Sequence, residues 1–126
     1  MNSTAKVFLL LGSLNTALAV LLGAFGAHAL KTKLSEQMMG VYQTGNQYHF
    51  YHALGLLLLG SIALNLAASN WLKLSGWLMF TGIVLFSGSL YTLALSQVRW
   101  LGAITPVGGS AFILAWCSLA IAVFKS

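Results

Sequence analysis

Acidic residues are almost absent from this chain. Of its 126 residues none is Asp and only one, Glu36, is Glu. No carboxylate falls within a long apolar run. Exchange of cations driven by an intramembrane carboxylate is therefore excluded, and so is a catalytic triad built on Asp. The single cysteine, Cys117, lies inside an apolar run, so it has no intrachain partner and reports nothing about redox compartment. The one proline, Pro106, confines proline-induced bending to one place. Charged residues make up 6% of the chain, against about 25% in an ordinary soluble domain. A water-facing surface cannot be built from so few. The Lys and Arg residues give a net charge of +5. They stand singly at the ends of apolar runs, with no basic cluster or RNA-binding motif. Their expected partners are anionic lipid headgroups, not nucleic acid.

What is present is apolar: 59% of residues are hydrophobic, with a mean hydropathy of +0.88. The pattern predicts an all-α integral membrane protein, with four transmembrane helices in an up-down bundle forming a single domain over residues 1–126. The spans are expected at about residues 5–30, 46–68, 71–96 and 100–124. Val7 to Leu30 is 24 residues, longer than the roughly 7–15 of a signal-peptide core, and reads as a spanning helix. Residues 34–45 are too polar to span. Leu34, Met38, Val41 and Tyr42 keep helical spacing there, and Ser35 can cap. This predicts a short amphipathic helix on the membrane surface. Gly12, Thr16, Ala19, Gly23 and Ala27 form a small-residue stripe that permits close helix approach; a homo-oligomer is expected from it, although packing inside one bundle would satisfy it equally. Asn15, alone near mid-membrane, is expected to hydrogen-bond a neighbouring helix. Pro106 either kinks the fourth helix, helped by Gly108 and Gly109, or opens it. Positive charges divide evenly, Lys6, Lys73 and Lys125 on one side against Lys31, Lys33 and Arg99 on the other, so orientation stays open.

Up-down topology brings the end of helix one, the start of helix two, the end of helix three and the start of helix four to one side. His28, Glu36, Tyr48, His49, His52, Gln97, Arg99 and Thr105 then share one interfacial layer. Three readings follow. In the first, a His/Tyr layer binds lipid headgroups or a small amphipathic ligand, or serves a structural accessory role. Its ligand-binding residues are His28, Tyr48, His52, Arg99 and Thr105. The second is a metal-binding or redox accessory protein, with His28, His49, His52 and Glu36 as candidate ligands. The third is a channel or transporter for a small solute. No catalytic set and no cofactor is expected.

Three blocks carry a resemblance: Gly23-Ala24-Phe25-Gly26-Ala27-His28-Ala29-Leu30-Lys31; Thr44 with Tyr48 and His52-Ala53-Leu54; and Thr105-Pro106-Val107-Gly108-Gly109. They resemble the YgdD/YwdK-like family, domain of unknown function 423, related to eukaryotic transmembrane protein 256. The resemblance implies a small multi-pass protein of the bacterial inner membrane with four helices and no established activity. It places His28, Tyr48 and His52 on motif positions, whereas the family often carries another polar residue at the position of His49.

Overall fold

A computed structural model describes residues 1–126. Four helices are long and apolar enough to cross a membrane: α1 (Ser3–His28), α2 (Glu36–Leu66), α3 (Asn70–Ser96) and α4, whose α-helical part is Thr105–Phe124. Side-chain caps set three of the starts. Asn2 accepts from the Ala5 amide at 2.8 Å, Ser35 from Met38 at 3.1 Å and Ser69 from Leu72 at 3.2 Å. Each satisfies an amide that the first helical turn leaves without a partner.

Neighbouring helices run antiparallel. The Asn2 side chain donates to the Ala63 carbonyl at 2.9 Å, joining the start of α1 to the end of α2. Lys125 lies 5.8 Å from the Trp71 ring centre, joining the end of α4 to the start of α3. The expected up-down bundle is thus present. Its core is a cluster including Phe8, Leu56, Leu59, Leu72, Met79, Ile83 and Phe112. Glycines bring the helix axes together. A Cβ on Gly12 would stand 2.8 Å from the Leu57 backbone nitrogen, and one on Gly108 would run into the Phe86 backbone. Gly26 makes room for the Tyr42 ring, and Gly82 for that of Phe112. Of the small-residue stripe, Gly12 packs on Leu57 and Gly23 on Asn46 within the chain.

The structure departs from expectation in the second span. The short helix over 34–45 is not a separate surface element, because Glu36–Leu66 form one unbroken helix of 31 residues. No proline interrupts this stretch, and Thr44 and Asn46 donate to Gly40 and to Ala19 and Tyr91 instead of capping a new helix. Tyr42 is buried against Gly26, and its hydroxyl donates to the Leu22 carbonyl at 2.5 Å. At 1.5 Å per residue, α2 is about 46 Å long, well beyond the ~30 Å hydrocarbon layer, so its polar first turns extend past the apolar band.

Two further features were open or unseen. Pro106 lies in the first turn of α4, where its missing N–H costs nothing, after a 3₁₀ turn over Arg99–Ala103. In α3, Ile83–Ser87 form a π turn, with the Gly88 amide bonded to the Ile83 carbonyl. Such a turn carries one residue more than the α-helix and turns the residues beyond it. Ser89 then meets Thr105 and Leu90 faces Gly45.

Candidate functional site in the membrane half of the second helix

His49 and His52 lie thirteen and sixteen residues beyond the start of α2, about 20 and 24 Å along its axis. Both are buried, with 2% and 5% of their surface exposed. The depth can be read from α1, whose exposed Val7, Leu10, Leu14, Leu18, Leu21 and Phe25 mark a lipid-facing band about 27 Å tall. Asn15, at the middle of that band, faces His49. The two histidines thus sit inside the span, deeper than the interfacial layer the sequence suggested.

Their environments differ. His49 Nε2 lies 3.0 Å from Asn15 Oδ1, and its Nδ1 lies 2.9 Å from the Tyr91 hydroxyl. Asn46 donates one amide hydrogen to that hydroxyl at 3.1 Å and the other to the Ala19 carbonyl at 2.9 Å. Asn15 donates to Leu11 at 2.9 Å. The directions form one consistent chain. Asn46 donates to Tyr91, Tyr91 donates to His49 Nδ1, and His49 Nε2–H donates to Asn15. A neutral imidazole completes it, with both ring nitrogens and the Tyr91 hydroxyl paired. The network joins α1, α2 and α3, and Asn15 makes the interhelical bond expected of it.

His52 faces the other way, toward α4. Its ring stacks on Phe112 with centres 3.5 Å apart, and the Trp116 indole donates to its Nε2 at 3.0 Å. Nδ1 lies 2.8 Å from the Tyr48 carbonyl. Tyr48, His52, Phe86, Gly109, Phe112, Ile113 and Trp116 line a lateral cavity of about 400 Å³. A second cleft of about 420 Å³ lies beside the His49 network, between α1 and α3, with Leu18, Leu22, Phe80 and Val84 among its walls.

The expected residues therefore divide. Tyr48 and His52 come together at the α2–α4 cavity. Thr105 is close to α3 instead. The Ser89 hydroxyl hydrogen goes to the Phe86 carbonyl at 2.9 Å, so Thr105 donates to Ser89 at 2.7 Å. His28 and Arg99 are exposed at the same end of the bundle and line neither cavity. The four candidate metal ligands do not converge, and no group of three or more His, Cys, Asp or Glu side chains could share an ion. His49 and His52 sit three apart on α2, yet point to different helices. Sequence reading missed Asn46, Tyr91 and Trp116. The signal available for the first two was weak, since Asn46 and Tyr91 are each one of several uncharged polar side chains in their spans.

An all-helical bundle with polar side chains tied together inside its apolar band defines a multi-pass membrane protein. This chain belongs to the DUF423 family, described as a protein of unknown function, whose model matches residues 22–109. It is 52% identical over 120 residues to the UPF0382 membrane protein YwdK of Bacillus subtilis, covering 95% of this chain and 98% of the relative. A UPF0382 membrane protein of Staphylococcus epidermidis is 54% identical over 124 residues, covering 95% and 97%. Another, SAB0533 of Staphylococcus aureus, is 48% identical with the same coverage. No solved structure matches the chain.

Proposed function

We propose that this protein binds a lipid or another small amphipathic molecule in the cavity between α2 and α4. The observation that carries the reading is the cavity itself. It has about 400 Å³ of space walled by Phe86, Phe112, Ile113 and Trp116, with Tyr48 and His52 as its polar members. Its size falls in the range of small-molecule sites, and a mostly apolar wall with few polar groups is their usual chemistry. Trp116 and Tyr48 are partly exposed, so the cavity opens sideways toward the lipid. Four helical spans fit the inner membrane of a bacterium, since outer-membrane spans are β-barrels.

The test is native mass spectrometry of the protein released from lipid nanodiscs. Retained lipid is expected in the wild type and lost in Gly109→Leu. A Cβ at Gly109 meets only the Phe86 ring at 3.7 Å, so the longer side chain fills the cavity without striking the backbone. Wild-type protein that carries no lipid, or Gly109→Leu that retains as much, overturns the reading. The same spectrum gives the stoichiometry and so decides the expected homo-oligomer.

A further inference from the structure

A third cleft lies between the last turns of α1 and the first turns of α2, on other residues than the α2–α4 cavity. Gly23, Gly26, Ala27, Met39, Tyr42, Gln43 and Asn46 enclose about 200 Å³. That is below the size of drug-like sites, roughly 300 Å³ and up, but holds about half a dozen water volumes. It suits the polar end of a lipid better than an acyl chain.

Its chemistry has a sign. Both amide hydrogens of Asn46 go to Ala19 and Tyr91, so only Oδ1 is left to face the cleft, as an acceptor. A Cβ on Gly23 would lie 2.9 Å from this oxygen, so the missing side chain keeps it reachable. Gln43 is exposed at the rim. Gly40, one turn further out, has nothing within 4 Å of its missing Cβ, so the cleft continues over an open surface. Glu36, Gly40 and Gln43 follow at the i, i+4, i+7 spacing of one helix face. The only acidic side chain therefore stands at the outer end of this face. Lys31 and Lys33 sit in the adjoining α1–α2 turn. Phe25 marks the edge of the lipid-facing band at the same level.

We propose that this cleft receives the primary ammonium of a zwitterionic phospholipid headgroup. The N–H groups donate to Asn46 Oδ1 and the Gln43 amide oxygen, with Lys31 and Lys33 lying on the phosphate side. The site does not depend on the α2–α4 cavity.

The test compares phosphatidylethanolamine with phosphatidylcholine, which keeps the charge and phosphate but has no N–H. The full-length protein is placed in nanodiscs of equal parts of the two lipids, and its retained lipids are weighed by native mass spectrometry. Retention of the ethanolamine lipid about two- to tenfold over the choline lipid is expected, the discrimination one or two hydrogen bonds supply. Gln43→Ala touches only an exposed side chain and should erase most of the preference at an unchanged Tm. Gly23→Ala, which crowds Asn46 Oδ1, should erase it as well, with a lower Tm because Asn46 is held by Ala19 and Tyr91. Equal retention of both lipids by the wild type overturns the proposal. So does a preference that survives both substitutions.

Discussion

Trp116 donates its indole N–H to Nε2 of His52 at 3.0 Å. Indole can only donate, so Nε2 can only accept. The other ring nitrogen, Nδ1, then carries the hydrogen, which fits its position 2.8 Å from the Tyr48 carbonyl. Two neighbours thus fix one neutral tautomer, and no lone pair is left for a metal. His52 is a positioned wall of the α2–α4 cavity.

A double-mutant cycle of His52→Ala and Trp116→Phe measures this contact. His52→Ala should cost about 2–4 kcal/mol, because it removes a buried ring stacked on Phe112 and leaves a void. Trp116→Phe should cost about 1 kcal/mol. The coupling between them should be about 0.5–1.5 kcal/mol, the range of hydrogen bonds within membrane bundles. Reversible unfolding in bicelles or by steric trapping gives the three values, and zero coupling would mean that the hydrogen bond contributes nothing.

Two buried serines in α3 should respond in opposite directions. Ser75 donates to the Ala115 carbonyl at 2.6 Å and ties α3 to α4. Ser87, equally buried, has the one enclosed side-chain polar atom without a partner. Ser75→Ala should therefore destabilise by about 1 kcal/mol, and Ser87→Ala should be neutral or stabilise by up to about 1 kcal/mol. Paired melting curves decide it. A loss at Ser87 as large as at Ser75 would show that its hydroxyl is satisfied.

Much of this architecture could be read from composition and period. Seven charged residues in four apolar runs leave few alternatives to a helical bundle, and short connections leave few topologies. The join between residues 34–45 and the second span was hidden, since a polar, amphipathic stretch has the same pattern on a surface or as the end of a long helix. What decides is the contact of Tyr42 with Gly26, sixteen residues back along the chain and outside the reach of local pattern. The π turn was invisible for a similar reason: Gly82, Ser87 and Gly88 look like ordinary packing residues. The site was half legible. Tyr48 and His52 were found by motif and spacing, but the facing of His49 depends on which helix lies opposite, and only three-dimensional packing supplies that.

Glycines give a second paired test. Gly108 meets the Phe86 backbone, which cannot yield, so Gly108→Ala should cost at least about 2 kcal/mol or prevent folding. Gly40 lies in α2 with open space around its missing Cβ. Gly40→Ala should stabilise by about 0.5–1 kcal/mol through helix propensity alone. The two melting temperatures, measured side by side in one detergent, should move apart. Equal shifts would contradict the close approach of α3 and α4.

The node of the buried network is His49, and its removal should be the costliest single change among the polar residues. His49→Ala leaves the Tyr91 hydroxyl hydrogen without an acceptor and Asn15 Oδ1 without its donor in a region without water, and opens a void. Each unpaired group costs about 1–3 kcal/mol, so a total of about 3–5 kcal/mol is expected. Tyr91→Phe removes one donor and should cost about 1 kcal/mol. Once His49 is gone, Tyr91→Phe should cost less, because the hydroxyl has already lost its acceptor and keeps only the hydrogen bond from Asn46. His49→Gln keeps a side chain able both to donate and to accept, and should restore part of the loss. Unfolding free energies of these four proteins, with the His49→Ala/Tyr91→Phe double variant, test the chain of donors from Asn46 to Asn15. Additive losses in the double variant would break it at the Tyr91–His49 link.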